Sequence, residues 1–274
     1  MAEAGSPISP TAHYTAAVWA RNGLSHPALA TTAGRLMYES SRPAHAVSKV
    51  LGGGGLEDIL LARHLLIDQL LETAIDGGEV SQVIEIAAGL SPRGWRFSQR
   101  YGRQLTYMES DLPEMVERKR RALEEAESLG PNHRVIELDA LADDGDSSLG
   151  AVASGLDPAR GAAIITEGLL TYLDRDSILG LWRRCAEALS PFSHGLMLSD
   201  LHLASENTGL VTAVGTRLLS LFVRGRVEMQ FDNETEALRA LEAAGFAEAY
   251  LHRGSDVSDA PATESIRVIE ARTA

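Results

Sequence analysis

The chain predicts an α/β fold with a mostly parallel, Rossmann-like sheet, and three observations lead there. First, short apolar runs alternate with helical stretches through the middle of the chain. That βαβα rhythm belongs to a parallel sheet covered on both faces. Second, the apolar run Val83, Ile84, Ile86, broken only by Glu85, opens into Ala87-Ala88-Gly89. A turn with almost no side chains lets a ligand approach the backbone closely. Third, the next apolar run ends in Glu109 and Asp111, and Asp111 lies 22 residues past Gly89. Nucleotide-binding βαβ units set a ribose-binding carboxylate about 20 residues past their glycine turn. One carboxylate accepts two hydroxyl protons side by side. The stretch reads as a nucleoside-cofactor site.

Taken in order, residues 1–12 are small, polar and proline-containing, and read as a tail. His13, Tyr14, Trp19, Arg21, Asn22 and His26 follow among Ala and Thr. They predict a short helix ending before Asn22-Gly23, and a helical lid over the acceptor. Gly52–Gly55 reads as a hinge, since no G-K-S/T follows to make it a phosphate loop. Residues 1–55 are therefore assigned as tail and lid, and 56–274 as the catalytic domain. Its first helix carries Leu60, Leu61, His64, Leu65, Ile67, Leu70 and Leu71 on its apolar side and stops at Gly77-Gly78. Strands are expected at 82–87, 104–109, 133–138, 161–166 and 194–200, with helices near 94–101, 113–129, 146–154 and 175–189. Pro113 suits a first helical position, and Gly130 the end of that helix. Past Asp200 come a helical pattern over 205–223, a helix over 234–244 closed by Gly245, and strands at 248–252 and 266–271.

Bulk properties narrow the function classes. The 274 residues, 45% hydrophobic and 23% charged, suit one soluble α/β domain with additions. A net charge of −13 argues against a nucleic-acid partner, whose phosphates need Lys and Arg. The basic run at Arg118–Arg121 has Glu117, Glu124 and Glu125 beside it and reads as a solvated helix face. The lone cysteine, Cys185, allows no internal disulfide and sits in a helical pattern, as a buried thiol does. No apolar run nears the ~18 residues of a membrane span, and no signal peptide opens the chain, so no membrane and a cytoplasmic location are expected. The eight histidines show neither H-x-x-x-H nor H-E-x-x-H spacing, so no metal site is expected.

A dinucleotide site wants G-x-G-x-x-G beneath its pyrophosphate, but here the run is Ala87-x-Gly89-x-x-Pro92. S-adenosylmethionine carries no phosphate, so the departure favours a methyltransferase over a nicotinamide-dependent oxidoreductase. AAGLSPRGWRF at 87–97, YMESDLPEMVERKR at 107–120 and IITEGLLTYL at 164–173 resemble the leucine carboxyl methyltransferase family. That family includes protein phosphatase methyltransferases and polyketide O-methyltransferases, and the resemblance covers roughly residues 60–200. It implies the class I methyltransferase fold, in which a terminal β-hairpin completes a seven-stranded sheet. It also implies S-adenosylmethionine as cofactor and S-adenosylhomocysteine as product.

The family pattern places Arg63 on the methionine carboxylate, Asp111 rather than Glu109 on the ribose, and Asp139 and Ala140 at the adenine. Gly89 forms the cofactor turn, where Ala87 replaces a glycine common in the family. Glu167, a lone carboxylate at a strand's carboxyl end, faces the crevice and suits a sulfonium, the alternative being a buried partner for an arginine. Tyr172 and Asp200 end neighbouring elements and line the acceptor pocket. His202, directly after the fifth strand, is the candidate base for a hydroxyl acceptor, with His13 as the alternative. The acceptor is expected to be a small molecule bearing a carboxylate or hydroxyl, in the polyketide branch. The alternatives are a protein C-terminal carboxylate as acceptor, a nicotinamide-dependent oxidoreductase, and a catalytically silent nucleoside-binding protein.

Overall fold

The computed structural model describes residues 10–50, 55–206 and 230–273, with the side chains of 42–50 and 262 excepted. Most of the expected tail, most of the glycine hinge and nearly all of the expected 205–223 helix lie outside these residues. Eight helices of the described residues run in chain order as α1 Pro10–Arg21, α2 Thr32–Val50, α3 Leu56–Asp76, α4 Arg93–Tyr101, α5 Pro113–Glu125, α6 Leu149–Ser154, α7 Arg175–Leu189 and α8 Glu234–Ala244. The strands are β1 Gln82–Ile86, β2 Thr106–Asp111, β3 His133–Glu137, β4 Ala162–Thr166, β5 Gly195–Leu201, β6 Glu248–Arg253 and β7 Arg267–Arg272. They form one seven-stranded sheet in the order β3-β2-β1-β4-β5-β7-β6. Strands β1 to β5 pair parallel, and β7 enters antiparallel between β5 and β6. This is the expected sheet with its terminal hairpin.

Every residue of β1 is buried, because helices cover both faces. Val83, Tyr107, Ala163 and Leu198 pack under α3 and α4 with Leu66, Ile67, Leu71 and Phe97. The alternate residues Ile84, Met108, Ile164 and Met197 face α6, α7 and α8 around Trp182, which stacks on Phe231 with ring centroids 5.0 Å apart. Cys185 lies in this second layer, fully buried, and burial pushes its thiol pKa up to about 12. No helix among the described residues is long and apolar enough to cross a membrane.

Most element ends fall within one or two residues of expectation, α6 begins three residues late at Leu149, and two of the differences have a visible cause. Strand β2 runs on to Asp111 because β3 pairs with it that far, Asp111 opposite Glu137. Helix α5 stops at Glu125, short of 129, where Glu127 adopts a left-handed φ of 52°. Helix α2 was not foreseen; within it Ser40 and Ser41 donate their hydroxyl protons to the carbonyls of Met37 and Tyr38.

The first 55 residues share cores with the rest of the chain. Tyr14, Val18 and Tyr38 pack with Leu60 of α3. Ala16 and Trp19 pack on Leu90, and Leu29 on Val116, Leu123 and Val135. Tyr38 donates its hydroxyl proton to Glu57 at 2.8 Å.

Candidate cofactor site

The strand order reverses between β1 and β4, and in open α/β sheets ligands bind outside the carboxyl ends of the strands at such a point. The turn that leaves β1 there is left-handed twice, at Ala87 with φ 52° and at Gly89 with φ 50°. The Ala88 amide donates to the Ser110 carbonyl at 2.9 Å. The Gly89 amide donates to Asp111 Oδ2 at 2.8 Å, and the Leu112 amide to Asp111 Oδ1 at 2.8 Å. The glycine turn and the end of β2 are thus tied together by the expected acid. Burial raises the Asp111 carboxyl above its ordinary value, against the pull of those two amides. Each oxygen keeps a second acceptor site for a ligand hydroxyl.

Ala87 is the strained member of the turn, since a left-handed alanine costs about 1–2 kcal/mol that glycine avoids. Ala87→Gly is expected to raise stability by about 1 kcal/mol, read as a higher urea midpoint at unchanged slope.

Of the two acids near the end of β2, Asp111 borders the turn and Glu109 points into the core. Glu109 takes an ion pair from Lys119 Nζ at 2.7 Å and from His133 Nε2 at 2.9 Å. Burial alone would raise its carboxyl pKa, but Lys119 and His133 together hold it below the usual range. Both of its oxygens serve to fasten α5 and β3 to β2.

Beneath the turn lies a buried cage of charge that the sequence reading missed. Arg93, fully buried at the start of α4, points its guanidinium at three carboxylates: Asp68 at 2.6 Å, Glu85 at 2.6 Å and Glu167 at 2.6 Å. Arg96 adds a second cation on Asp68 at 2.5 Å. His64 Nδ1 lies 2.9 Å from Glu167 Oε2. Tyr107 donates its hydroxyl proton to Glu85 at 2.7 Å. Burial would raise Glu167 strongly, yet His64, Arg93 and Arg63 outweigh it and hold the carboxyl well below its ordinary value. Asp68 is likewise held down against burial, by His64, Arg93 and Arg96. One signal was available: Glu85 in a strand buried on both faces needs a cation, and Arg93 is eight residues on.

Arg63 stands at the edge of this cage. Its Nε donates to Glu167 at 3.0 Å and its Nη1 to Asp200 at 3.2 Å. Gly168, at φ 72°, lies close against the guanidinium: a Cβ there would meet Arg63 Nη2 at 3.3 Å. Asp200 is held in turn by the Gly168 amide at 2.7 Å. The structure therefore brings Arg63, Glu167 and Asp200 together, with His202 two residues beyond Asp200.

The remaining candidates are dispersed. Asp139 is exposed after β3 and accepts from the Leu141 amide at 3.0 Å, while Ala140 is half-buried against the core and its carbonyl accepts from Arg184. Tyr172 is 46% exposed on the 3-10 turn Leu170–Tyr172. His202 is half-buried and lines a cavity of about 20 Å³ with Asp200 and Thr171. His13 lines a different cleft, of about 620 Å³, with Leu90 and Arg118, and its Nδ1 lies 2.9 Å from Thr31 Oγ1. Burial, and then Arg118, hold His13 below the ordinary histidine value. Helix α1 passes directly over the turn, with the Ala12 methyl 3.8 Å from where a Gly89 Cβ would stand.

With this geometry in place, the likenesses to known proteins are informative. The family profile for leucine carboxyl methyltransferases matches residues 26–186. A Mycobacterium tuberculosis H37Rv protein, provisionally named an S-adenosyl-L-methionine-dependent methyltransferase, is 35% identical over 126 residues. That stretch is 46% of this chain and 40% of the relative, so the match spans less than half the relative's length. Among solved structures, one from Thermobifida fusca YX, provisionally named a methyltransferase, superposes with TM-score 0.64 at 15% identity, covering 97% of this chain and 95% of that one. The Synechocystis PCC 6803 magnesium protoporphyrin IX methyltransferase with bound S-adenosylhomocysteine gives TM-score 0.52 at 15% identity, covering 86% and 97%. At such identities these structures establish the fold, which is the class I methyltransferase fold.

Proposed function

Because the chain belongs to the leucine carboxyl methyltransferase family, we propose that it transfers the methyl group of S-adenosylmethionine to an oxygen of a small-molecule acceptor. The observation that carries this reading is the turn at the β1–β4 switch point, where two left-handed residues leave bare backbone beside Asp111. S-adenosylmethionine supplies an activated methyl on a sulfonium, and S-adenosylhomocysteine leaves. Asp111 would accept the ribose hydroxyls on its free acceptor sites, and Asp139 and Ala140 would border the adenine. Arg63 has five N–H donors, more than its two ion pairs engage, and the remaining donors would take a methionine carboxylate. Glu167 and Asp200 orient that guanidinium. The chain's main catalytic work is alignment and exclusion of water, with α1 as cover. A carboxylate acceptor needs no base; a hydroxyl does. A cytoplasmic location and an acceptor of the polyketide class belong to the same reading.

The test is calorimetry with S-adenosylmethionine, which should bind the wild-type protein, against a nicotinamide dinucleotide, which should not. Asp111→Ala should weaken S-adenosylmethionine by about 2–4 kcal/mol through two lost charge-assisted hydrogen bonds. Unchanged affinity in that variant would sink the ribose assignment. Arg63→Met should weaken S-adenosylmethionine far more than adenosine, which lacks the carboxylate. Equal weakening of both would make Arg63 structural.

A further inference from the structure

We infer that Arg184 is a positioning residue for the cofactor's base, holding the loop after β3 so that it selects adenine. This rests on the methyltransferase reading, in which Asp139 and Ala140 border the adenine, and adds the residue that sets the preference. The loop runs over 138–148, from the end of β3 to the start of α6, and most of it is exposed. Its backbone is tied largely to itself. The Asp139 amide donates to the Ser147 carbonyl at 3.0 Å, and the Ala142 amide to the Asp139 carbonyl at 3.2 Å. Among the described residues, the side-chain hydrogen bonds that reach 139–147 from another element come from Arg184, on α7. Its Nε donates to the Ala140 carbonyl at 3.1 Å and its Nη1 pairs with Asp143 at 2.8 Å. The Asp143 side chain is 88% exposed, so that ion pair holds little and the carbonyl bond is the tie. The guanidinium lies against Gly180, one turn earlier in α7, where a Cβ would meet Nη1 at 3.4 Å.

What this clamp fixes is one donor and one acceptor. The peptide joining Asp139 to Ala140 is trans, so its N–H points opposite to its carbonyl. That carbonyl faces the Ala142 amide inside the turn, and the Ala140 N–H therefore faces out of it. Among the described residues no hydrogen bond engages that N–H. Asp139 Oδ1 accepts from the Leu141 amide, which leaves Oδ2 open. An open carboxylate oxygen and an open amide on consecutive residues match adenine, whose amino group donates and whose N1 accepts. Hypoxanthine carries an oxygen and an N–H in those places, setting acceptor against acceptor and donor against donor. A site built to hydrogen-bond one edge rejects the other because its polar groups are left unpaired. Arg184 grips the next peptide along and so settles where the Ala140 N–H points.

The experiment titrates S-adenosylhomocysteine and S-inosylhomocysteine, which differ only at that edge, into the full chain by calorimetry. Wild type should bind the adenosyl compound roughly 10-fold or more tightly than the inosyl one. In Arg184→Met the ratio should fall to about 2 or less, through weaker binding of the adenosyl compound while the inosyl compound changes little. Arg184→Lys should fall between, since an ammonium reaches the carbonyl without the rigid fork, and it carries the test if Arg184→Met does not fold. A merely structural arginine would leave the ratio alone. Equal weakening of both ligands, or unchanged affinity for both, therefore overturns the inference while leaving the cofactor reading intact. A wild-type protein that binds the two equally overturns it at the adenine edge. A wild-type protein that binds neither overturns the reading beneath it.

Discussion

Arg93→Met is expected to bring the protein close to unfolding at pH 7. Arg93 is fully buried and neutralises Asp68, Glu85 and Glu167 at once, each at 2.6 Å. Removing one partner of a buried ion pair costs about 3–5 kcal/mol, because the other is left buried and uncompensated. Here three carboxylates lose it together, in a fold whose whole stability is of order 5–15 kcal/mol. The pH dependence gives the effect a signature. In the wild-type protein Asp68 and Glu167 have depressed pKa values, so their stabilisation is complete above about pH 4–4.5 and is lost as the pH falls towards the folded-state values. In the variant, burial is no longer fully opposed, and the folded state takes up protons more readily than the unfolded chain. Stability should then rise relative to wild type as the pH falls from 7 to 5. Urea midpoints at several pH values measure both slopes. A variant with the wild-type midpoint and slope would show that the cage carries no such load. Arg93→Lys should recover only part of the loss, since a single ammonium cannot fork to three acids.

The same cage marks where sequence reading stops. The turn after β1 and its tie to Asp111 were legible because their information is local: an apolar strand, three small residues and an acid one βαβ unit later. The sheet followed from alternation, and even the antiparallel entry of β7 came with the family resemblance. What could not be read is which distant side chains meet under the turn. His64 passed as one more member of an apolar helix face, though its ring lies 2.9 Å from a carboxylate 103 residues away. Glu167 was read as facing a sulfonium, with a buried partner for an arginine as the alternative; in the fold its oxygens are taken up by Arg63, His64 and Arg93, and which arginines these are was not legible. Such meetings depend on how α3 and α4 cross the sheet, and no period of 2 or 3.6 encodes that. His13 and His202 show the same limit: both were credible bases by residue type, and tertiary packing sends them to separate cavities.

Trp19→Ala is expected to cost about 3–5 kcal/mol, the range for deleting a buried aromatic ring, and to weaken S-adenosylmethionine as well. The ring is 5% exposed, packs on Ala16 and Leu90, and lies 4.9 Å from the His64 ring by centroids. Leu90 is the residue directly after the left-handed turn at Ala87–Gly89, the proposed cofactor turn, and His64 holds the carboxylate that orients Arg63. A cavity at Trp19 therefore loosens the turn from above and the arginine from behind. A helix that swings as a lid behaves otherwise: its inner face would rest lightly on the turn, and losing one ring would change stability by well under the core value while turnover collapsed. Urea unfolding and calorimetry on one variant separate the two. A midpoint shift of core size with reduced cofactor affinity makes α1 a fixed wall of the site. A near-wild-type midpoint with intact binding and no methyl transfer makes it a gate. The burial of Tyr14, Val18 and Trp19, as deep as that of the sheet, favours the wall.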